Sequence, residues 1–378
     1  MFHILIQSQH DSGTQHMLST SKLGNQEHVS LNTLLCVYIV IGLLLLTSAS
    51  EGNHYMVIKQ GVHALLAVGI LFAVQRMSCE HLQKIAFIAY LATIALLILV
   101  LLIGHTGKGA QRWLDLRFIR FEPSEIMKVI LPVTLASCVQ NQELPLSPLA
   151  LLQNLLLVLL PFMLIAKQPD LGTATIIATI GIFTLIMAGL PFKLIRYGIT
   201  AFVVMSPVSW TLLHEYQKKR IMTLLMPRQD VSGSGYHIMQ SKIAIGSGGF
   251  FGKGWFYGTQ SHLQFLPEHN TDFIFALLAE EFGFFGCCVL FALFLWILIK
   301  CFSYSMQAQN HFTRLACAGI SFAFGICTFI NVAMVTGLIP VVGIPLPLIS
   351  YGGTTMLITL LGFGIINACR SQSRLFDS

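Results

Sequence analysis

The stretch 262–282, HLQFLPEHNTDFIFALLAEEF, brings reactive side chains to a place where a polar loop meets an apolar helix. Glu268 and His269 stand in the loop, and Asp272 stands at the point of entry. A carboxylate at such a boundary can meet water and a lipid-borne molecule together, and could serve as a general base. Helix capping competes with this reading: Asn270 or Thr271 could be the N-cap, with Asp272 in a first turn favoured by the helix dipole. Thr271 already offers a cap, however, and capping requires no Pro-Glu-His loop ahead of it.

A second constellation is GKGAQRWLDLRFIRFEPSEIMK, residues 107–128. Arg112, Arg117 and Arg120 are interleaved with Trp113, Leu116, Phe118, Ile119 and Phe121. That mixture suits a segment in the lipid headgroup plane. Pro123 fits a first helical position, and Glu125 and Lys128 share one helix face at i,i+3. They are either an ordinary pair at a helix start or a charged pair lining a polar cavity inside a bundle.

Two weaker signals follow. In Lys167-Gln168-Pro169-Asp170, the aspartate could cap the next helix or face a ligand. Residues 214–271 carry a basic group, Lys218, Lys219 and Arg220, which is either a solvated face or a polyanion contact. Their glycine-rich part, Gly246 to Gly254, could bring backbone N–H groups to phosphates, but no Gly-Lys-Ser/Thr follows it. His237, His262 and His269 lack metal-ligand spacing, and no Gly-x-Ser-x-Gly motif suggests serine hydrolysis.

These residues need a scaffold, and the composition says which kind. Of 378 residues, 55% are hydrophobic and 10% charged. A soluble domain carries roughly 25% Asp, Glu, Lys and Arg, so this chain must present apolar surface to lipid. The expected fold is an all-α, polytopic membrane bundle of ten transmembrane helices. Spans are predicted near 31–49, 60–75, 85–103, 123–140, 149–166, 171–189, 193–213, 273–299, 315–337 and 350–369. The domain plan is a cytoplasmic tail over 1–30, a membrane domain over 31–370 with a large extracytoplasmic loop at 214–271 between helices 7 and 8, and a cytoplasmic tail over 371–378. The polar first thirty residues predict no cleaved signal peptide.

An even span count puts both termini on one side. With the termini inside, most Lys and Arg residues lie outside, against the positive-inside tendency. They crowd into 108–128 and 214–271, so they read as functional cations facing a polyanion. Nucleic-acid binding is not expected from the net charge of +6. The nine cysteines predict neither a disulfide framework nor a thiolate metal site.

Phe282 to Ile299 is an unbroken apolar run. A continuous helix through it would lift Asp272, Glu280 and Glu281 to the interface or above it, at about 1.5 Å per residue. The segment Gly337 to Gly353 is apolar but broken by Pro340, Pro345 and Pro347, which predicts a re-entrant or surface-lying loop buried by protein.

The runs GAQRWLDLRFIRFEPSEIMK, KQPDLGTATI, GYHIMQSKIAIGSGGFFGKGW, LPEHNTDFIFALLAEEFGFFG and TGLIPVVGIPLPLISYGGTT resemble the SEDS family (shape, elongation, division and sporulation) in order across about residues 31–370. The run GKGWFYGTQSHLQFLPEHNTDF favours its cell-elongation branch over the division branch. The resemblance implies a peptidoglycan glycosyltransferase at the outer face of the bacterial inner membrane. Its substrate would be lipid II, the undecaprenyl-pyrophosphate-linked disaccharide-peptide. It also implies a class B penicillin-binding protein as transpeptidase partner, together with elongation-complex proteins.

On that resemblance Asp272 is the catalytic base. The residues expected to bind substrate are Glu125, Lys128, Arg112, Trp113, Asp170, Lys218, Lys219, Arg220, Glu268 and His269. The departing pyrophosphate's charge would be met by Arg112, Lys128, the Lys218–Arg220 group or a divalent cation, Mg²⁺ or Mn²⁺. Two alternatives stay open: a lipid II flippase that uses the intramembrane charges, and a silent scaffold for a penicillin-binding protein.

Overall fold

The computed structural model describes residues 29–107, 110–115, 120–140, 142, 146–191, 193–198, 200, 204–205, 211, 215–226, 233–262 and 270–375. Most of the expected N-terminal tail, part of the span expected at 193–213, and both Glu268 and His269 lie outside them. In residues 1–37 the described part is the start of helix α1 (Leu31–Ala49). Every site discussed below lies within residues 38–378.

After α1 come α2 (His54–Val74), α3 (Cys79–Ile103), three short strands, α4 (Pro123–Val139), α5 (Pro148–Lys167) and α6 (Leu171–Met187). Seven helices among the described residues are long and apolar enough to cross a membrane, while α4 and α6 have 17 residues each. The multi-pass membrane class is therefore met; the expected number of ten is not reached by length alone. Local chemistry sets the helix starts. Ser78 accepts the His81 N–H ahead of α3, and Ser147 accepts the Ala150 N–H with Pro148 at the first position of α5.

Besides its apolar core, the bundle turns many large apolar side chains outward. Leu65, Leu102, Leu149 and Ile299 are each at least 66% exposed, a pattern only lipid can solvate. Helix α4 is the reverse, buried along most of its length. Met127, Leu131 and Leu135 pack with Tyr90 and Leu97 of α3, Ile165 of α5 and Ile177 of α6. This core holds the polar face of α4 in place.

The segment before α4 is a three-stranded antiparallel ribbon, β1 (His105–Gly107), β2 (Ala110–Asp115) and β3 (Arg120–Phe121). His105 pairs with Trp113, and Leu114 with Phe121. The all-α expectation is corrected to that extent.

The expected loop 214–271 is largely helical where it is described. It holds α7 (Glu215–Leu225), α8 (Ser234–Gly248) and a single turn, α9 (Thr259–His262). Ile238, Ser241 and Ala244 recur every three residues along α8 and are buried. Ser241 Oγ donates to the Val335 carbonyl at 2.8 Å.

Helix α10 (Ile274–Gln307) does not rise unbroken as the apolar run suggested. It breaks at Gly283, at φ 64° and ψ −162°. The backbone of residues 249–254 fills the break. Lys253 and Gly254 N–H groups bond the Glu280 and Glu281 carbonyls, and the Phe284 and Phe285 N–H groups bond the Gly249 and Phe250 carbonyls. Orphaned helix groups at membrane level are thereby satisfied by protein. The glycine-rich segment is thus a plug for a broken helix. The two N–H groups it presents to the break, on Lys253 and Gly254, are bonded there and are not free for phosphate.

Glu280 and Glu281 are enclosed by protein, at 0% and 1% exposure. Glu280 Oε1 accepts from Lys253 Nζ at 2.6 Å, the Gln260 N–H at 3.0 Å and Thr259 Oγ1 at 3.1 Å. Glu281 Oε1 accepts from Ser48 Oγ of α1 and from the Phe256 N–H. Helix α11 (His311–Val335) follows, then the proline-broken loop, then α12 (Gly353–Leu375). The second half of that loop is buried, as its sequence required: Ile344, Leu346, Leu348 and Ile349 are all at most 3% exposed, whereas Leu338 near its start is 73% exposed.

Candidate active site

Helix α10 begins at Ile274 with Phe273 as its N-cap residue. Asp272 therefore stands ahead of the first turn, and membership of that turn does not account for it. It lines a cavity of about 660 Å³, the size range of a small-molecule site. Six contributions converge on it, one of them Thr173 of α6. The ribbon supplies His105, Arg112, Trp113 and Asp115; the start of α4 supplies Glu122 and Glu125; α7 supplies Arg220; α8 supplies His237; the proline loop and the start of α12 supply Val341 to Pro345, Tyr351, Gly352 and Thr355. Asp272 meets the proline loop directly. Gly343 sits at φ 80°, where a β-carbon would lie 3.5 Å from Asp272 Oδ2.

Residues far apart in sequence are thus brought together: Asp272, Glu125, Arg112, Trp113 and Arg220 share one cavity. Lys128 lies one turn along from Glu125, with Nζ 2.5 Å from Glu125 Oε1 and both side chains buried. It lines an adjoining space of about 40 Å³ that Glu125 also borders. The interior-pair reading of these two residues is the one the structure supports.

Asp170 performs the capping role and a second one. Its Oδ1 accepts the Thr173 N–H at 3.2 Å, and its Oδ2 lies 3.2 Å from Arg112 Nε. At 1% exposure it fixes Arg112 from behind and does not line the cavity. Of the basic group on α7, only Arg220 reaches the cavity. Lys218 pairs at 3.1 Å with the exposed Glu215 one turn away, and Lys219 is solvent-exposed. A pair of that kind on an open helix is worth little.

Glu122 was not singled out from sequence, although it stands three residues before Glu125 in a segment of evident interest. Burial, reinforced by Glu125 and Asp170, pushes its carboxyl up to about 7, against the opposing pull of Lys128 and the Ser124 hydroxyl. His237 was weighed only as a metal ligand. Its ring lies 5.9 Å from that of Phe273, beside Asp272.

The cavity has cations, carboxylates and two imidazoles around a mixed apolar wall. That set can neutralise an anionic leaving group and accept a proton. Among the described residues no three His, Cys, Asp or Glu side chains converge to hold a metal ion. A magnesium-like ion commonly takes only one or two carboxylates and completes its shell from substrate phosphates and water; Asp115 and Glu122 are carboxylates on the cavity wall.

Comparison with known proteins places these motifs. Residues 27–375 match the family model of the FtsW, RodA and SpoVE cell cycle proteins. The peptidoglycan glycosyltransferase MrdB of Escherichia coli K12 is 44% identical over 279 residues, covering 72% of this chain and 74% of that protein. MrdB of Helicobacter pylori 26695 is 37% identical over 322 residues, covering 84% and 83%. A solved peptidoglycan synthase complex that coordinates polymerization and crosslinking contains a chain with a TM-score of 0.81 at 28% identity, over 91% of this chain and 97% of that one. The crystal structure of the rod shape determining protein RodA of Thermus thermophilus gives 0.70 at 25% identity, over 92% and 98%.

Proposed function

The chain belongs to the FtsW, RodA and SpoVE family and is a peptidoglycan glycosyltransferase, and from that premise we propose how its cavity polymerises lipid II. The supporting observation is the cavity that joins Asp272 to Arg112, Arg220 and Glu125, whose buried partner Lys128 borders the adjoining space.

In this reaction the 4-hydroxyl of an acceptor GlcNAc attacks C1 of a donor MurNAc. Asp272 takes the hydroxyl proton as the new C–O bond forms. The bond from C1 to the pyrophosphate oxygen breaks, and undecaprenyl pyrophosphate leaves from the opposite face with the bonding electrons. The anomeric centre inverts. One base suffices, because a pyrophosphate departs without a proton when its charge is compensated. Arg112 and Arg220 supply that compensation as fixed cations in a partly dry site, where such groups act without reorganising. A divalent cation held by Asp115 and Glu122 would add electrostatic stabilisation of the same oxygens.

Both termini are cytoplasmic in this reading, and the cavity opens to the outer face of the inner membrane. The solved synthase complex supports a transpeptidase partner, a class B penicillin-binding protein, that crosslinks the strands made here.

The decisive test is glycan-strand formation from lipid II by purified protein with its partner. Asp272→Ala is expected to lose about 10²–10⁴-fold in rate, the usual cost of removing a general base. Polymerisation by Asp272→Ala at the native rate would overturn the assignment. Chelation followed by Mg²⁺ or Mn²⁺ repletion tests the cation separately.

A further inference from the structure

The backbone that carries Asp272 is held by groups that do not react. Asn331, on α11, is 0% exposed. Its side-chain nitrogen donates to the Asp272 carbonyl at 2.8 Å and to the Ile344 carbonyl at 2.7 Å. Ser350 Oγ donates to the Thr271 carbonyl at 2.5 Å and accepts the Leu346 N–H at 2.8 Å. The Tyr351 N–H donates to the Asn270 carbonyl at 3.0 Å. Three consecutive carbonyls, 270 to 272, are thus bonded by residues 331–351 just before α10 begins.

The chemistry at Asn331 is specific. One neutral nitrogen with two N–H donors bridges two carbonyls from separate segments. A serine at that position would offer one donor and a leucine none, and lysine would bring a buried charge. The two bridged segments are the two sides of one gap, since Asp272 bears the carboxylate and Ile344 follows Gly343, which faces Asp272 Oδ2. The length of the Asn331 bridge therefore sets how far the carboxylate stands from the cavity wall.

We infer that Asn331 is a positioning residue for glycosyl transfer, fixing the Asp272 carboxylate against the 341–345 wall so that it meets the acceptor hydroxyl in line. The inference rests on the reading of Asp272 as the base. A displacement of about 1 Å in a reacting group can cost about 10²-fold in rate. The effect falls on turnover, because the cations that bind the pyrophosphate belong to other elements.

The test uses the full chain with its partner and measures kcat and KM for lipid II across pH. Asn331→Ala is expected to lower kcat by about 10–100-fold with KM within about threefold. In the Asp272→Asn background the same change is expected to remove nothing further. Asn331→Asp keeps the shape and guards against a variant that fails to fold. Its activity relative to the native protein should rise as pH falls, because a protonated carboxyl regains one donor while the loss from protonating Asp272 is common to both proteins. A native kcat in Asn331→Ala, or in Asn331→Asp at every pH, overturns the inference. So does an equal fractional loss with and without Asp272, which marks a purely structural role. A native rate in Asp272→Asn instead removes the base reading, and this inference with it.

Discussion

Arg112 Nε lies 3.2 Å from Asp170 Oδ2, while the other oxygen of the same carboxylate caps α6 through the Thr173 N–H. One buried side chain therefore ties the β-ribbon to the bundle and aims a cation into the cavity. Asp170→Ala removes both contacts and should destabilise the protein by about 1 kcal/mol for the cap, with a further loss from leaving the Arg112 guanidinium without its buried counter-ion. Asp170→Asn keeps the cap and weakens only the hold on Arg112. The expected pattern is a clear fall in thermal midpoint for the alanine variant and a small one for asparagine, with reduced polymerisation in both. A native rate in Asp170→Asn would mean that Arg112 needs no such support.

The two ends of that contact were unequally legible. Capping by Asp170 follows from local residue types, and the structure has it. The partnership with Arg112 does not follow, since it depends on a ribbon folding back over α6. The same division runs through the molecule. Apolar runs revealed the seven long apolar helices of the described residues, and the charge pair Glu125–Lys128 was visible from its helical spacing. The break in α10 was not visible, because a glycine inside an apolar run looks like any other until another segment fills the gap. Lys218 and Lys219 were grouped with Arg220 by adjacency, but a helix turns neighbours to different faces, and only Arg220 meets the cavity.

The plug in α10 separates two glycines that look alike in sequence. Gly252 sits at φ 81°, and a β-carbon there would collide with the Glu281 carbonyl and the following backbone. Gly246 lies within α8 with open space where its β-carbon would be. Gly246→Ala is therefore expected to be neutral or to stabilise by about 0.5–1 kcal/mol. Gly252→Ala should lower the midpoint sharply, because backbone must move and the α10 carbonyls lose their donors. Melting curves of the two variants in one detergent decide this. Equal midpoints would show that the plug contributes nothing.

Glu122 gives a pH prediction with a definite sign. Its folded-state carboxyl titrates near 7 because burial and the adjacent Glu125 and Asp170 favour the neutral form. In the unfolded chain it titrates in the ordinary glutamate range, about 4.3. Between these values the native state holds a proton that the unfolded state has released. Stability from this group is therefore full below the unfolded value and is lost as pH rises through about 7. Glu122→Gln should remove that part of the slope, so the variant gains on the native protein from pH 5 to pH 8 in thermal melts. Parallel pH profiles for the two proteins would show that Glu122 ionises without cost.

The Glu125–Lys128 pair allows fold and activity to be separated. The 2.5 Å contact lies on the most enclosed helix of the bundle, with both groups at most 8% exposed. Removing one partner strands a buried charge, which typically costs about 3–5 kcal/mol. Lys128→Met alone should therefore melt well below the native protein. Replacing both residues by apolar ones of similar size takes the desolvation cost away along with the attraction, and such swaps are often neutral or stabilising. Glu125→Leu combined with Lys128→Met should accordingly recover most of the lost midpoint. If the pair serves the cavity it borders, polymerisation will not recover with it, because no apolar side chain can meet a sugar hydroxyl or a pyrophosphate oxygen there. Measuring the midpoint and the glycan product on the same preparation separates the two roles: a stable, inactive double variant assigns the pair to the reaction, whereas a stable and active one reduces it to a packing element.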